Sequence, residues 1–131
     1  MPLLRAALGL LPVCALLVAL LWFDSFKLVR PRLVAATIAG GGLPGLVLLD
    51  LWPSATAVLL DARERRGQFL RESIEELGWE DRVEVRVGRA EVLARDAGLR
   101  GRFELVVARG FGPPPVTAEC AVGFLRSGGW L

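Results

Sequence analysis

Apolar and polar residues follow two different spacings along this chain, and the changes of spacing mark out its elements. The run Ala57-Val58-Leu59-Leu60-Asp61 is apolar until an acid closes it, the pattern of a strand buried on both faces of a parallel sheet. From Arg63 to Leu77 the period lengthens. Phe69, Leu70, Ile74 and Leu77 recur at three- and four-residue spacing, which predicts an amphipathic helix, and Gly78 stands where a C-terminal cap belongs. Arg82 to Val87 alternates charged and apolar residues as a strand does, then turns at Gly88-Arg89-Ala90-Glu91. Phe103 to Arg109 predicts another strand, Thr117 to Leu125 a helix, and Gly128-Gly129-Trp130-Leu131 the start of a further strand. Upstream, Gly40 to Gly45 forms a turn that opens a helix. Pro44 sits where a first-turn proline is tolerated, Leu46 to Leu51 continue the apolar run, and Trp52-Pro53-Ser54 ends it. Alternating strands and helices predict an α/β fold on a parallel sheet.

The start of the chain has neither period. Ala6 to Phe23 are 18 residues without a charge, interrupted by Gly9 and Pro12, at the lower limit for spanning a bilayer. Arg5 precedes this run, and Lys27, Arg30 and Arg32 follow it, which would turn its C-terminal side to the cytoplasm. Residues 1–38 are read as an apolar N-terminal segment, whether a membrane helix, a signal peptide cleaved near Val34-Ala35-Ala36, a buried helix or mistranslated sequence, and residues 39–131 as the domain. The 53% hydrophobic content is high for a soluble domain, and much of the excess sits in the first 23 residues.

Composition narrows the chemistry. A net charge of +2 is too small to single out a nucleic-acid partner. With two cysteines, Cys14 and Cys120, and no histidine, the chain holds no zinc cluster, Cys/His dyad or Ser/His/Asp triad, and no metal is expected. Reactivity would have to come from positioning, carboxylates or a cofactor.

Gly40, Gly42 and Gly45 satisfy the spacing G-x-G-x-x-G, which lets the backbone turn tightly and a nucleotide approach a helix N-terminus. Asp61 closes the next strand 19 residues after Gly42, near the spacing of an acid that binds ribose hydroxyls. Its other reading is a helix cap ahead of Ala62-Arg63-Glu64. Glu91, in the turn after the third strand, is either an acceptor for an exocyclic amine or a solvated first-turn acid. Arg109, at the end of the fourth strand, is either a surface charge or a ligand for a carboxylate or an RNA phosphate.

Together, "GGGLPGLVLLDLWP", "AVLLDARERRGQFLRESIEELGWEDRVEVRVGRAEVLA" and "GRFELVVARGFGPPPVTAECAVGFLRSGGWL" resemble the small-subunit (16S) rRNA guanine-N7 methyltransferases, the family also called glucose-inhibited division protein B. The resemblance covers about Ala39 to Leu131. It implies a Rossmann-like sheet dependent on S-adenosylmethionine (SAM), incomplete here at both ends. It further implies cofactor contacts at Gly40, Gly42, Leu43, Asp61, Ala90, Glu91 and Arg109, a partner in the 16S rRNA of the small ribosomal subunit, and a cytoplasmic location. It assigns no catalytic residue. One stretch departs from the family: Ala36-Thr37-Ile38-Ala39 replaces an Asp-x-Gly-Ser-type sequence, so Ile38 stands at the first glycine and the acid is missing. Three expectations follow: an rRNA methyltransferase; a non-catalytic, truncated or frameshifted remnant of one, with or without a membrane anchor; or a protein anchored to a membrane by residues 6–23 whose cytoplasmic part is a Rossmann-like module.

Overall fold

The computed structural model describes residues 34–38 and 44–131. The apolar run 6–23 and the expected cofactor contacts Gly40, Gly42 and Leu43 lie outside them. Five strands make one sheet: β1 (Val34–Ile38), β2 (Thr56–Asp61), β3 (Val83–Val87), β4 (Phe103–Ala108) and β5 (Leu125–Trp130). Between them run α1 (Gly45–Leu51), α2 (Glu64–Leu77), the single turn α3 (Ala90–Leu93) and α4 (Pro114–Val122). Every pairing is parallel, in the order β3-β2-β1-β4-β5. The chain is thus wound outward from β1 in one direction through β2 and β3, then returns to the other side for β4 and β5.

β1 lies in the stretch that the sequence reading set apart from the domain, yet it is the central strand. Ile38 pairs with Leu60 on one side and with Ala108 on the other. Its small residues suit a strand covered on both faces. Ala36 and Ile38 join the cluster containing Leu60, Ala90, Leu99, Phe103, Val106 and Phe124. Thr37 faces the opposite way, toward α1, where a Cβ on Gly45 would stand 2.7 Å from its Oγ1. Gly45 therefore serves close helix–strand packing, the role of the third glycine in its motif. Five short residues, three of them alanine or threonine, gave no strong period to read.

Where local period was strong, structure and expectation agree. α2 buries Leu70 and Ile74, and Gly78 ends it at φ 66°, with its N–H donating to the Glu75 carbonyl at 3.1 Å. Two elements differ in their bounds. The helix expected from Thr117 starts at Pro114, because prolines in a first turn lack only N–H groups that the helix does not use. It ends at Val122, and Gly123 packs so closely on Ala94 that a Cβ there would lie 2.7 Å from the Ala94 Cβ. The final strand starts at Leu125 rather than Gly128. Phe103 pairs with Leu125 and Leu105 with Trp130, so a bulge lies between, and Gly128 occupies φ 77° within it. The paired glycines mark that bulge, not a strand opening.

Candidate functional site

The parallel registers bring the carboxyl ends of β1, β2 and β4 to one edge of the sheet. The winding reverses between β1 and β4, and an open α/β sheet has its ligand crevice at such a point. A crevice of about 180 Å³ opens there. Ile38 and Leu60 line it at the strand ends, with Asp61, Ala62, Arg63 and Arg66 along the β2–α2 connection. Gly88 and Ala90 from the β3–α3 turn and Gly110 and Phe111 after β4 complete the lining.

Asp61 is the polar centre of this crevice. It is 7% exposed, and its backbone carbonyl accepts the Gly88 N–H at 2.9 Å, tying β2 to the turn after β3. Its Oδ1 accepts the Arg63 N–H at 2.9 Å, a local bond within the β2–α2 connection. The helix begins at Glu64 with Arg63 at its N-cap, so Asp61 stands two residues too early to be the cap the sequence suggests. Its Oδ2 is buried with no hydrogen-bond partner, and the Arg66 Nη1 stands 3.8 Å away. One oxygen is thus hydrogen-bonded by the chain itself and the other is not. A buried acceptor without a donor is costly to keep, and a ligand hydroxyl would satisfy it.

The other expected residues divide. Ala90 is buried at the start of α3 and lines the crevice. Glu91 lies beside it but is not in the lining, and its Oε1 pairs with Arg89 Nε at 2.6 Å. Arg109 follows the last residue of β4 and is exposed next to Gly110, outside the lining. Arg66 and Phe111 line the crevice without having been singled out. Arg66 is one of three arginines in Arg63-Glu64-Arg65-Arg66, and nothing in that run marks it from its neighbours. On α4, burial pushes the Cys120 thiol pKa up, and the carboxylates of Glu91 and Glu119 push it further.

The family model described as rRNA small subunit methyltransferase G matches residues 19–131. The chain belongs to that family. Among its relatives, the ribosomal RNA small subunit methyltransferase G of Rubrobacter xylanophilus is 43% identical over 96 residues, covering 73% of this chain and 36% of that protein. The chain spans about two fifths of the length of the curated relatives it matches. The family match reaches upstream of β1, into the stretch set apart on sequence. Solved structures share the fold. A Methanococcus maripaludis protein assigned as an S-adenosyl-L-methionine-dependent methyltransferase superposes with TM-score 0.62 at 18% identity, covering 82% of this chain and 50% of that one. PKMT2 of Rickettsia typhi, solved in complex with AdoHcy, gives TM-score 0.57 at 17% identity over 75% of this chain and 19% of that one. Membership of the rRNA small subunit methyltransferase G family and the Rossmann-like sheet are thus established by independent comparisons. Among the described residues, no helix is long and apolar enough to cross a membrane.

Proposed function

We propose that this member of the rRNA small subunit methyltransferase G family binds SAM in the crevice at the ends of β1, β2 and β4, and takes part in methylating N7 of a guanine in 16S rRNA. The observation that carries the reading is the buried Asp61 Oδ2, an acceptor without a donor on the wall of a switch-point crevice. A ribose diol supplies two hydroxyl donors for such a carboxylate. In this reading Asp61 takes the ribose, and Ala90 and Glu91 border the adenine. Gly40, Gly42, Leu43 and Arg109 join the cofactor contacts on the strength of the family resemblance.

Bound there, SAM supplies an activated methyl group. Guanine N7 already exposes a lone pair, so no proton has to be removed before it attacks. A chain without histidine suits that requirement. The protein's contribution is proximity and orientation. Phe111 and Ile38 present apolar walls to the crevice, while Asp61 would fix the ligand at one end. The guanine would be presented from an accessible element of the RNA. The reaction belongs where ribosomal subunits are, in the cytoplasm.

Two measurements test this. Calorimetric titration with S-adenosylhomocysteine, the demethylated form of the cofactor, should show saturable binding that Asp61→Asn weakens by about tenfold or more. Incubation with labelled SAM and unmodified small subunits should place label on N7 of a guanine. Absence of saturable binding would sink the reading of the crevice. Binding without transfer would keep the crevice and remove the reaction from this chain.

A further inference from the structure

The two oxygens of Asp61 differ in what surrounds them: Oδ1 accepts the Arg63 N–H, while Oδ2 has no hydrogen-bond partner and faces Arg66. Nη1 of Arg66 lies 3.8 Å from Oδ2, inside ion-pair range and beyond hydrogen-bond range. A guanidinium hydrogen-bonded to Oδ2 would occupy the lone pairs that a ligand hydroxyl needs. A buried carboxylate with no cation near it would carry an uncompensated charge. The 3.8 Å separation avoids both outcomes.

The backbone that carries Arg66 is placed by packing. Gly67, the next residue, lies so close to β3 that a Cβ on it would stand 2.2 Å from Val87 Cγ2. Val87 is in turn the register partner of Asp61. The glycine lets the first turn of α2 come down onto the sheet beside the end of β2, and Arg66 is carried with it. The Arg66 side chain is 47% exposed, so it reaches the crevice from its rim instead of filling it.

We infer that Arg66 is a positioning residue for a ribose-diol subsite at Asp61: its charge compensates the buried carboxylate while Oδ2 stays open to a ligand hydroxyl. This rests on the reading of the crevice as a SAM site. Arg66 acts through Asp61 and by charge at a distance, not by a directional bond to the ligand.

The test is a double-mutant cycle on the full chain, read by calorimetric titration with S-adenosylhomocysteine. Arg66→Met should weaken binding about tenfold when Asp61 is present, and by less than about twofold in the Asp61→Asn background. Arg66→Lys should stay within about threefold of the parent, because a displaced ammonium still supplies the charge. Equal losses in both backgrounds, no loss in either, or a lysine variant as weak as the methionine variant would each overturn the inference. Thermal melts of the same variants separate misfolding from lost affinity, since a purely structural Arg66 would lower the melting point and the affinity in both backgrounds. If the parent chain itself does not bind, the crevice reading falls and takes the inference with it. If the parent binds and the cycle shows no coupling, only the inference falls.

Discussion

Gly67 and Val87 meet so closely that a Cβ on the glycine would stand 2.2 Å from the valine Cγ2. Gly67→Ala should gain up to about 1 kcal/mol from helix propensity. It should lose more, roughly 1–3 kcal/mol, from overpacking against β3. The net expectation is a lower urea midpoint. Val87→Ala in the same chain should recover much of the loss by clearing the space, and a double mutant no better than Gly67→Ala would count against this contact.

Arg82 joins the start of β3 to the end of α1. Its Nη2 donates to the Leu49 carbonyl at 3.0 Å, its Nη1 to the Ala55 carbonyl at 3.2 Å and more weakly to Trp52 at 3.4 Å, and its guanidinium lies 4.4 Å from the Trp79 ring centroid. Burial lowers its pKa, and Asp50 partly offsets that. Arg82→Met should cost about 2–4 kcal/mol, since charged hydrogen bonds to carbonyls are lost together with the ring contact. Arg82→Lys should rescue little, because one ammonium cannot span the carbonyls of three residues. Chemical denaturation of both variants decides the point.

Ile38 puts a branched side chain at the end of β1, on the wall of the crevice. Ile38→Ala should destabilise the fold by about 2–4 kcal/mol, as expected for a truncated core residue. It should also enlarge the crevice beside Asp61 and tighten S-adenosylhomocysteine binding severalfold. Opposite signs in melting and titration are the expected signature. A loss of both would mean that Ile38 supports the site more than it crowds it.

Cys120 should react slowly with iodoacetamide near pH 8, because its raised pKa leaves little thiolate. Glu91→Gln removes one of the charges that raise it, so the pKa falls and alkylation speeds up at that pH. Peptide mapping distinguishes the product from labelled Cys14. An unchanged rate in Glu91→Gln would leave burial as the whole cause.

Much of this is legible in the sequence. α2 with its Gly78 cap, and β2, β3 and β4, have enough consecutive residues in one period for local pattern to match their final environment. Asp61 stood out as an acid closing an apolar strand. β1 did not, because its burial comes from neighbours far along the chain and its own residues are mostly small. Pro114 concealed the start of α4, since a proline reads as a breaker unless its place in the first turn is known. Arg66 was out of reach for a different reason. Its relation to Asp61 depends on how closely α2 approaches β3 at Gly67, a distance that no one-dimensional period encodes.

The central place of β1 has a consequence for the order of events during synthesis. Its pairing with β2 joins residue 38 to residue 60, but its pairing with β4 must wait for residue 108. At ribosomal speeds, the interval between the end of β2 and the end of β4 is roughly 2–10 s. For that time a nascent chain carries Asp61 but lacks Gly110 and Phe111, the opposite wall of the crevice. A ligand arriving early would meet half a site, so it cannot template the first pairing. A ligand bound in the proposed crevice would act only afterwards, holding together two halves that the ribosome releases seconds apart.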